Sequence, residues 1–265
     1  MVDIHSHILY GVDDGAKDVD ESIRLLRQAE SVGYTDIVCS SHYYIGRFEN
    51  KNYIENFHNL QEKIKKLGIK VNIYLGNEFA LDSDYFEHSK NINKINNGKY
   101  LLVELKDYVP YSSCKKFFKK LLQDGIVPIL AHIERYHHLE REDFIKFKKQ
   151  GVILQMNLNS ATHPRSKVRP LLEQKYIDIV ATDSHRYGTR DYDVEEKLKT
   201  LEEKLGKEYF NLVTEINPRK IISSEDIEKN IGEGNEFKKN NGDGSFFSRL
   251  WNKLFSIIRR GFRKS

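Results

Sequence analysis

Residues 1–22, MVDIHSHILYGVDDGAKDVDES, predict a short strand that leads into a helix. Residues two apart in a strand point to the same side, so His5 and His7 share one face of the predicted sheet. Asp18, with Glu21 three residues later, resembles a capping box and predicts that a helix begins there. The stretch therefore starts an alternation of strand and helix, with two imidazoles near the end of the first strand.

This alternation repeats seven times along the chain of 265 residues. Gly33, Gly68, Gly125 and Gly151 fall where the intervening helices would end. Repeated strand, helix, strand units predict a parallel sheet with right-handed crossovers, and seven units predict a closed or nearly closed α/β barrel in one domain. The strands are expected near residues 2–7, 36–41, 70–76, 100–105, 126–131, 152–156 and 177–181.

The formal net charge of +4 is divided unevenly along the chain. Residues 245–265 contain six basic side chains and no acidic one, so the rest of the chain stands at about −2. A surface that follows a phosphate backbone normally belongs to a basic domain, so nucleic acid is not an expected partner.

Three segments are predicted on this basis: a barrel domain over residues 1–228, a flexible linker over 229–244 and a basic amphipathic helix over 245–265. The helix would place its aromatic and aliphatic side chains on one half and its basic side chains on the other. It would lie on an anionic membrane surface, or dock on a protein partner or on its own barrel, and the linker favours the membrane.

The sequence also excludes several classes of protein. No apolar run of about 18 residues is present to span a membrane, and the first residues do not resemble a signal peptide. We therefore expect a cytoplasmic protein, free or bound peripherally at the inner face of the membrane. Cys39 and Cys114 are the only cysteines and are expected to be buried; neither is followed six residues later by the arginine of a cysteine-dependent phosphatase.

Imidazole and carboxylate side chains follow the predicted strands where each strand ends. One such pair alone is typical of a solvated rim, but the carboxyl ends of parallel barrel strands gather on one face. Clustered carboxylates repel one another unless a cation compensates them, so the full set indicates a multinuclear metal site. The nine candidate ligands are His5, His7, Asp14, His42, Glu78, Glu104, His132, Asp183 and His185.

Nine ligands can serve three divalent ions if one carboxylate bridges two of them. A set of imidazoles and carboxylates without a thiolate is compatible with manganese, iron, zinc or magnesium and excludes a structural zinc finger. Paired ions lower the pKa of a shared water and hold the resulting hydroxide for in-line attack. The surplus positive charge of three such ions favours a phosphate dianion as substrate.

Several motifs resemble the polymerase-and-histidinol-phosphatase (PHP) superfamily and, within it, the bacterial CpsB/CapC/YwqE group of manganese-dependent protein tyrosine phosphatases. The resemblance covers about residues 1–228 and implies the PHP fold, a distorted (β/α)7 TIM-like barrel. Besides the opening stretch, the motifs are SSH at 40–42, GNE at 76–78, AHIERY at 131–136, QMN at 155–157, ATDSH at 181–185 and NPRKI at 217–221.

The resemblance also implies roles for individual residues, with manganese as the first expectation for the metal. Arg135 and Arg190 match arginines that the group uses at the phosphate, and a guanidinium fork suits phosphoryl oxygens, although a salt bridge at the rim is the alternative. His42 and Asp14 are counted with them as catalytic residues. One ion would be held by His5, His7, Glu78 and Asp183; a second by Glu78, Glu104 and His132; and a third by Asp14, His42 and His185.

The implied activity is hydrolysis of phosphotyrosine in proteins, and the implied partner is a membrane-associated bacterial tyrosine kinase of capsule or exopolysaccharide assembly. A small-molecule phosphatase of the histidinol-phosphate type and a non-catalytic PHP binding module are the alternatives; the complete ligand set speaks against the second. Tyr43 and Tyr44 stand where close relatives can carry basic residues, and Arg47 either supplies the missing charge or is solvated. With Tyr53, these tyrosines are interpreted as a phosphopeptide platform or as core and rim aromatics.

Overall fold

A computed structural model describes residues 1–81, 91–106, 109–164 and 166–227. All strand pairs in these ranges are parallel, as predicted. The strands are β1 Val2–Ser6, β2 Asp36–Cys39, β3 His42–Tyr43, β4 Asn72–Leu75, β5 Glu78–Leu81, β6 Tyr100–Leu105, β7 Val127–Leu130, β8 Ile153–Asn157 and β9 Ile179–Ala181.

These strands form a curled sheet with seven positions, because β2 and β3 share one position and β4 and β5 share another. One part has the order β1-β2-β4 and the other β3-β5-β6-β7-β8-β9, and β2 continues into β3 as β4 continues into β5. Backbone hydrogen bonds join the first and last positions: His7 N donates to Ser184 O at 2.7 Å, and Asp183 N donates to His5 O at 2.9 Å. The distorted barrel and its seven predicted strands are confirmed.

Two of the seven positions are interrupted, which the sequence did not predict. Glu78 N lies 3.0 Å from Ser40 O and 3.1 Å from Ser41 O, so the two interruptions lie side by side. Beyond the breaks, β3 pairs with β5 and His42 stands opposite Glu78. These two candidate ligands therefore belong to short extra strands, rather than to the loops in which the sequence placed them.

Helices lie between the strands and end as predicted. The Asp18 side chain accepts from Glu21 N at 2.8 Å, while Glu21 accepts from Lys17 N, one residue before the position a capping box requires. Gly33, which follows the first helix, has a φ of +90°, a value that favours glycine. The helices are α1 Val19–Ser31, α2 Tyr53–Lys66, α3 Tyr111–Gln123, α4 Arg141–Gln150, α5 Leu158–Thr162, α6 Arg169–Glu173, α7 Glu195–Leu205, α8 Lys207–Asn211 and α9 Asn217–Ile222, with 3₁₀ turns at Ile95–Asn97 and Ile133–Arg135 and a π turn at Leu212–Ile216.

An apolar cluster contains side chains from β1, β2, β6, β7, β8 and β9. Side chains from α9 complete it, so one end of the barrel is filled and the polar residues are left to the later ends of the strands. The cluster comprises Val2, Ile4, Val38, Ile95, Tyr100, Leu102, Ile129, Ala131, Ile153, Ile179, Ala181, Ile221, Ile222 and Ile227.

Other side chains have the following places. Cys39 and Cys114 are buried, as expected. Tyr43 and Tyr53 are also buried, which excludes both from a phosphopeptide platform, and the Tyr53 hydroxyl lies 2.8 Å from Gly76 O inside the protein. Tyr44 is half-buried.

The predicted linker over 229–244 and the predicted amphipathic helix over 245–265 lie outside the described residues. Within the described part of the chain, no helix combines the length and the apolar character needed to cross a membrane.

Candidate metal centre

The structure brings all nine candidate ligands together where the barrel strands end. They form four overlapping clusters, in each of which one ligand atom per residue lies within 4.8 Å of the others. The clusters are His7, Asp14, His42 and His185; His5, Glu78 and His132; His5, His7 and Asp183; and His42, Glu78 and Glu104.

Two imidazoles face each other at the centre of the site. His5 Nε2 and His7 Nε2 are 3.4 Å apart, and each lies 3.3 Å from Glu78 Oε2. Asp183 Oδ1 lies 3.2 Å from His5 Nε2 and 3.6 Å from His7 Nε2. Two bonds of about 2.1 Å to one ion would separate two ligand atoms by roughly 3 to 3.4 Å, which is close to these separations.

Glu78 faces two groups at once. Its Oε1 lies 2.7 Å from His132 Nε2, whereas its Oε2 faces the imidazoles of His5 and His7. Glu104 approaches the same His132 nitrogen with its Oε1 at 3.7 Å. A carboxylate with one oxygen on each side has the geometry of a ligand that bridges two ions.

The third part of the site is the most open to solvent. Asp14 Oδ1 lies 3.5 Å from His42 Nε2 and 3.7 Å from His185 Nε2, and the Asp14 side chain is 52% exposed. The His7 and His185 rings stack with centroids 3.8 Å apart, which is why His7 also belongs to this cluster. The overlap shows that the clusters do not divide one for one into the three ligand sets that the resemblance implies.

The carboxylates and imidazoles strongly affect one another's protonation. Burial alone would raise the pKa of Glu78, but the charges of His5, His42 and His132 outweigh it and lower that pKa well below its ordinary value. Burial, together with the Glu78 charge, raises the pKa of Glu104 to about 7. When two carboxylates are adjacent and one of them resists ionisation, a bound cation would stabilise the ionised form of both.

The hydrogen bonds test whether divalent ions fit these residues. Asp183 Oδ1 is buried without a hydrogen-bond donor, whereas Asp183 Oδ2 accepts from Asn157 Nδ2 at 2.7 Å. His5 Nδ1 donates to Gln155 Oε1 at 3.1 Å, and His7 Nδ1 donates to Asp13 Oδ2 at 2.7 Å. These bonds leave both Nε2 lone pairs available in the neutral imidazoles, so the donor set fits a cation.

Two of the candidate ligands have unusual backbone conformations. His132 has a φ of +28° and Asp183 a φ of +55°, a region that residues other than glycine rarely adopt. Each stands two residues after its strand ends, His132 after β7 and Asp183 after β9. Backbone strain of this kind concentrates at functional sites, where surrounding contacts hold it in place.

Asp13 is also part of this site, although its sequence pattern did not single it out. Its fully buried carboxylate accepts from the ring of His7, from His42 N at 2.8 Å and from Gly15 N at 2.9 Å. One carboxylate thus fixes the ring of one candidate ligand and the backbone of another. The only signal in the sequence was the pair of adjacent acids in GVDDG, Asp13 and Asp14. Which of the two supports His7 depends on the loop conformation.

Two amides of β8 were also missed as supports of the ligands. Gln155 Oε1 accepts from His132 N at 2.7 Å as well as from the His5 ring, and Gln155 Nε2 donates to Asn157 Oδ1 at 2.8 Å. Asn157 in turn binds Asp183. This chain of amides connects three candidate ligands, and its sequence signal is the spacing of two in the QMN motif.

Comparison with known proteins identifies the family. The family described as capsular polysaccharide synthesis, CpsB/CapC, matches residues 1–223. The chain belongs to the CpsB/CapC family. It is 31% identical over 238 residues to the tyrosine-protein phosphatase CpsB of Streptococcus pneumoniae, covering 84% of this chain and 98% of that protein. It is 32% identical over 251 residues to the putative tyrosine-protein phosphatase CapC of Staphylococcus aureus, covering 87% and 94%.

A solved structure supports the same conclusion. It is a chain from the crystal structures of YwqE from Bacillus subtilis and CpsB from Streptococcus pneumoniae, described as unique metal-dependent tyrosine phosphatases. The match has a TM-score of 0.80 at 25% identity and covers 89% of this chain and 100% of that one. The fold and the family predicted from the sequence are confirmed.

Two arginines stand at the mouth of this CpsB/CapC site. Arg135 Nη2 and Arg190 Nη2 each lie 2.5 Å from the same oxygen, Asp183 Oδ2, and both side chains are 42% exposed. Arg190 Nη2 also donates to Asp183 O at 3.0 Å. Two half-exposed guanidinium groups thus converge beside the ligand cluster, where an incoming anion would meet both.

We predict that Asp13→Ala lowers the affinity for Mn²⁺ and the turnover, each about 10- to 100-fold, because the His7 ring loses the carboxylate that fixes its tautomer and orientation. Calorimetric titration of the metal-stripped protein measures the affinity directly. Asp13→Asn keeps an acceptor oxygen and should lie between wild type and Asp13→Ala. Asp20→Ala, at an exposed position of α1, is the control, and equal Mn²⁺ affinity in Asp13→Ala and Asp20→Ala would contradict the role of Asp13.

Proposed function

We propose that this chain is a metal-dependent protein tyrosine phosphatase. The observation that carries the proposal is the meeting of nine imidazole and carboxylate side chains with two half-exposed arginines at one end of the barrel. The relatives named tyrosine-protein phosphatase and the solved metal-dependent phosphatases support it. A binding module would not need the complete ligand set.

The reaction is hydrolysis of a phosphate monoester. The bond from phosphorus to the phenolic oxygen of tyrosine breaks, the oxygen of water joins phosphorus, and the phenolic oxygen takes a proton. Divalent ions, when bound, supply Lewis acid stabilisation of the phosphoryl oxygens and lower the pKa of water. Arg135 and Arg190 bind the phosphoryl oxygens that face away from the ligands, and the exposed side of Asp14 leaves the entrance open.

We further propose three ions, with manganese as the first candidate and iron, zinc or magnesium as alternatives. The support is the two-sided contact of Glu78 and the absence of a thiolate from the donor set. The ions would be held in the sets that the resemblance implies, which the distances within the site support: His5, His7, Glu78 and Asp183; Glu78, Glu104 and His132; and Asp14, His42 and His185. Mass spectrometry of the native protein counts the ions, and one ion at saturation would contradict this assignment.

A direct comparison of substrates tests the function. With the protein loaded with Mn²⁺, we expect kcat/KM for a phosphotyrosyl peptide to exceed that for histidinol phosphate at least about tenfold, since the arginines and Asp14 at the mouth are accessible to a phosphate carried on a protein. Higher kcat/KM for histidinol phosphate would instead assign the small-molecule phosphatase function.

We propose that the activity serves capsular polysaccharide synthesis, which the family description supports, and that its substrate is a membrane-associated bacterial tyrosine kinase. The basic amphipathic pattern of residues 245–265 supports a peripheral position at the inner face of the membrane. Sedimentation with anionic and neutral vesicles, before and after truncation at Gly244, tests this position. Binding that is equal in all four cases would exclude it.

A further inference from the structure

A tight turn beside the metal centre carries an arginine that the proposed mechanism does not use. In the turn of residues 44–48, Tyr44 N donates to Phe48 O at 2.7 Å and Phe48 N donates to Tyr44 O at 2.7 Å. Gly46 has a φ of +78°, which lets the chain reverse between them. The reciprocal hydrogen bonds fix the directions of the side chains at both ends of the turn.

The turn places Arg47 close to a candidate ligand. The Phe48 ring lies nearly parallel to the His42 imidazole, at an interplanar angle of 13° and a centroid distance of 5.9 Å. The Arg47 guanidinium carbon lies 4.8 Å from the centroid of the Phe48 ring. A cation over an aromatic face is held electrostatically, so the guanidinium is held at the rim rather than free in solvent.

Arg47 differs from the two arginines of the proposed phosphate site. Both of those contact Asp183, whereas Arg47 is exposed and forms no ion pair with a carboxylate of the described residues. The acid nearest to it in sequence beyond the turn, Glu49, accepts from Gly46 N at 2.5 Å. As far as the described residues go, the donors of Arg47 are therefore available to an anion from another molecule.

A second basic side chain contacts the same turn. The Lys106 ammonium is 4.0 Å from the centroid of the Tyr44 ring, and it is also 3.8 Å from Glu104 Oε2. Both aromatic residues of the turn thus hold a basic side chain; Lys106 is paired with Glu104, whereas Arg47 is not paired with a carboxylate of the described residues. The charge of Arg47 complements a carboxylate of a substrate.

We propose that Arg47 forms a subsite for an aspartate or glutamate side chain next to the phosphotyrosine of the substrate. The proposal rests on the proposed phosphatase function; because Phe48 packs against His42, the turn lies beside the metal centre, where residues that flank a bound phosphotyrosine can reach it. A guanidinium fork pairs with a carboxylate through two parallel hydrogen bonds, which a lysine cannot match. The subsite would select acidic sequences among phosphotyrosyl proteins.

Matched phosphotyrosyl peptides test the subsite. One set carries Glu and the other Gln at each of the two positions on either side of the phosphotyrosine. For wild type we expect kcat/KM to be about three- to fivefold higher with Glu at one or more positions, which is the range for an exposed ion pair. Raised ionic strength should bring this ratio towards one.

Variants of Arg47 then locate the effect. Arg47→Met keeps the aliphatic stem and should bring the Glu to Gln ratio to about one, Arg47→Lys should restore part of it, and Arg47→Glu should favour peptides with Lys. Arg27→Met, at an exposed position of α1, is the matched control and should keep the wild-type ratio. Because each ratio is measured within one preparation, a change in the folded fraction does not affect it.

The outcomes separate the subsite from the function. A wild-type ratio of one at all four positions, or an unchanged ratio in Arg47→Met, would overturn the subsite while hydrolysis of the peptides still supports the phosphatase. No phosphate release from any phosphotyrosyl peptide by the Mn²⁺-loaded protein would overturn the function itself.

Discussion

Replacement of Glu78 by glutamine should lower kcat/KM for a phosphotyrosyl peptide by at least about a thousandfold, which is roughly 4 kcal/mol of transition-state stabilisation. Glu78 is buried and its two oxygens face the imidazoles of His5, His7, His42 and His132. Glutamine keeps the volume but removes the charge and one acceptor oxygen. The bridge between two proposed ions would be lost, and with it the several kcal/mol that such ions contribute.

The same variant should lose bound metal, which separates this account from a general loss of stability. We expect Glu78→Gln to contain at least one ion fewer per chain than wild type by elemental analysis after dialysis against Mn²⁺. Glu62→Gln, at an exposed position of α2, should keep the wild-type activity and metal content. Full metal content together with full activity in Glu78→Gln would contradict the bridging role.

Loss of either arginine should have the second largest effect. Arg135→Ala and Arg190→Ala should each reduce kcat/KM about a hundredfold, a typical result of removing one preorganised donor to a transition-state oxygen. Their metal content should not change, because Asp183 Oδ2 retains its bond from Asn157 and Asp183 Oδ1 still faces the imidazoles. Lysine at either position should recover only a small part, since it cannot form the two parallel bonds of a guanidinium.

A control variant distinguishes the arginines from other surface charges. Arg169→Ala removes a half-buried arginine that pairs with Glu173 within α6, and it should leave the kinetics unchanged. Metal loss in Arg135→Ala or Arg190→Ala that matches their loss of activity would show that the arginines support the ligands rather than the phosphate.

The positions of the ligands could be predicted because their signal is local. His5 and His7 show the spacing of two within a strand, and Glu104, His132 and Asp183 each stand at or just after the end of an apolar run. A parallel barrel brings the ends of such runs to one face whatever the detailed packing. The convergence of the site therefore follows from the pattern and the topology together.

The supporting residues could not be predicted because they act over long sequence separations. Gln155 contacts His5 across 150 residues, and Asp13 reaches the backbone of His42 across 29. No periodic pattern in the sequence predicts contacts at these sequence separations. The breaks that place His42 opposite Glu78 also depend on tertiary hydrogen bonds, such as those from Glu78 N, rather than on the propensity of the residues involved.

The tyrosines after His42 show the same limit. The sequence left open whether Tyr43 and Tyr53 are surface or core residues, since an aromatic residue after a strand suits both. The short strand β3 and helix α2 turn both side chains inward. Tyr43 is buried, and the Arg47 guanidinium lies over the Phe48 ring. We therefore assign substrate recognition in this loop to Arg47 rather than to the tyrosine pair.

The central claim is that this chain hydrolyses phosphotyrosine only when its ligand cluster holds divalent ions. The most direct measurement is to strip the protein with a chelator, add Mn²⁺ in steps, and follow phosphate release from a phosphotyrosyl peptide against the number of ions bound. We predict no release above background in the metal-free protein and a rise to full activity as the cluster fills. Equal rates of release in the metal-free and the metal-loaded protein would contradict the account.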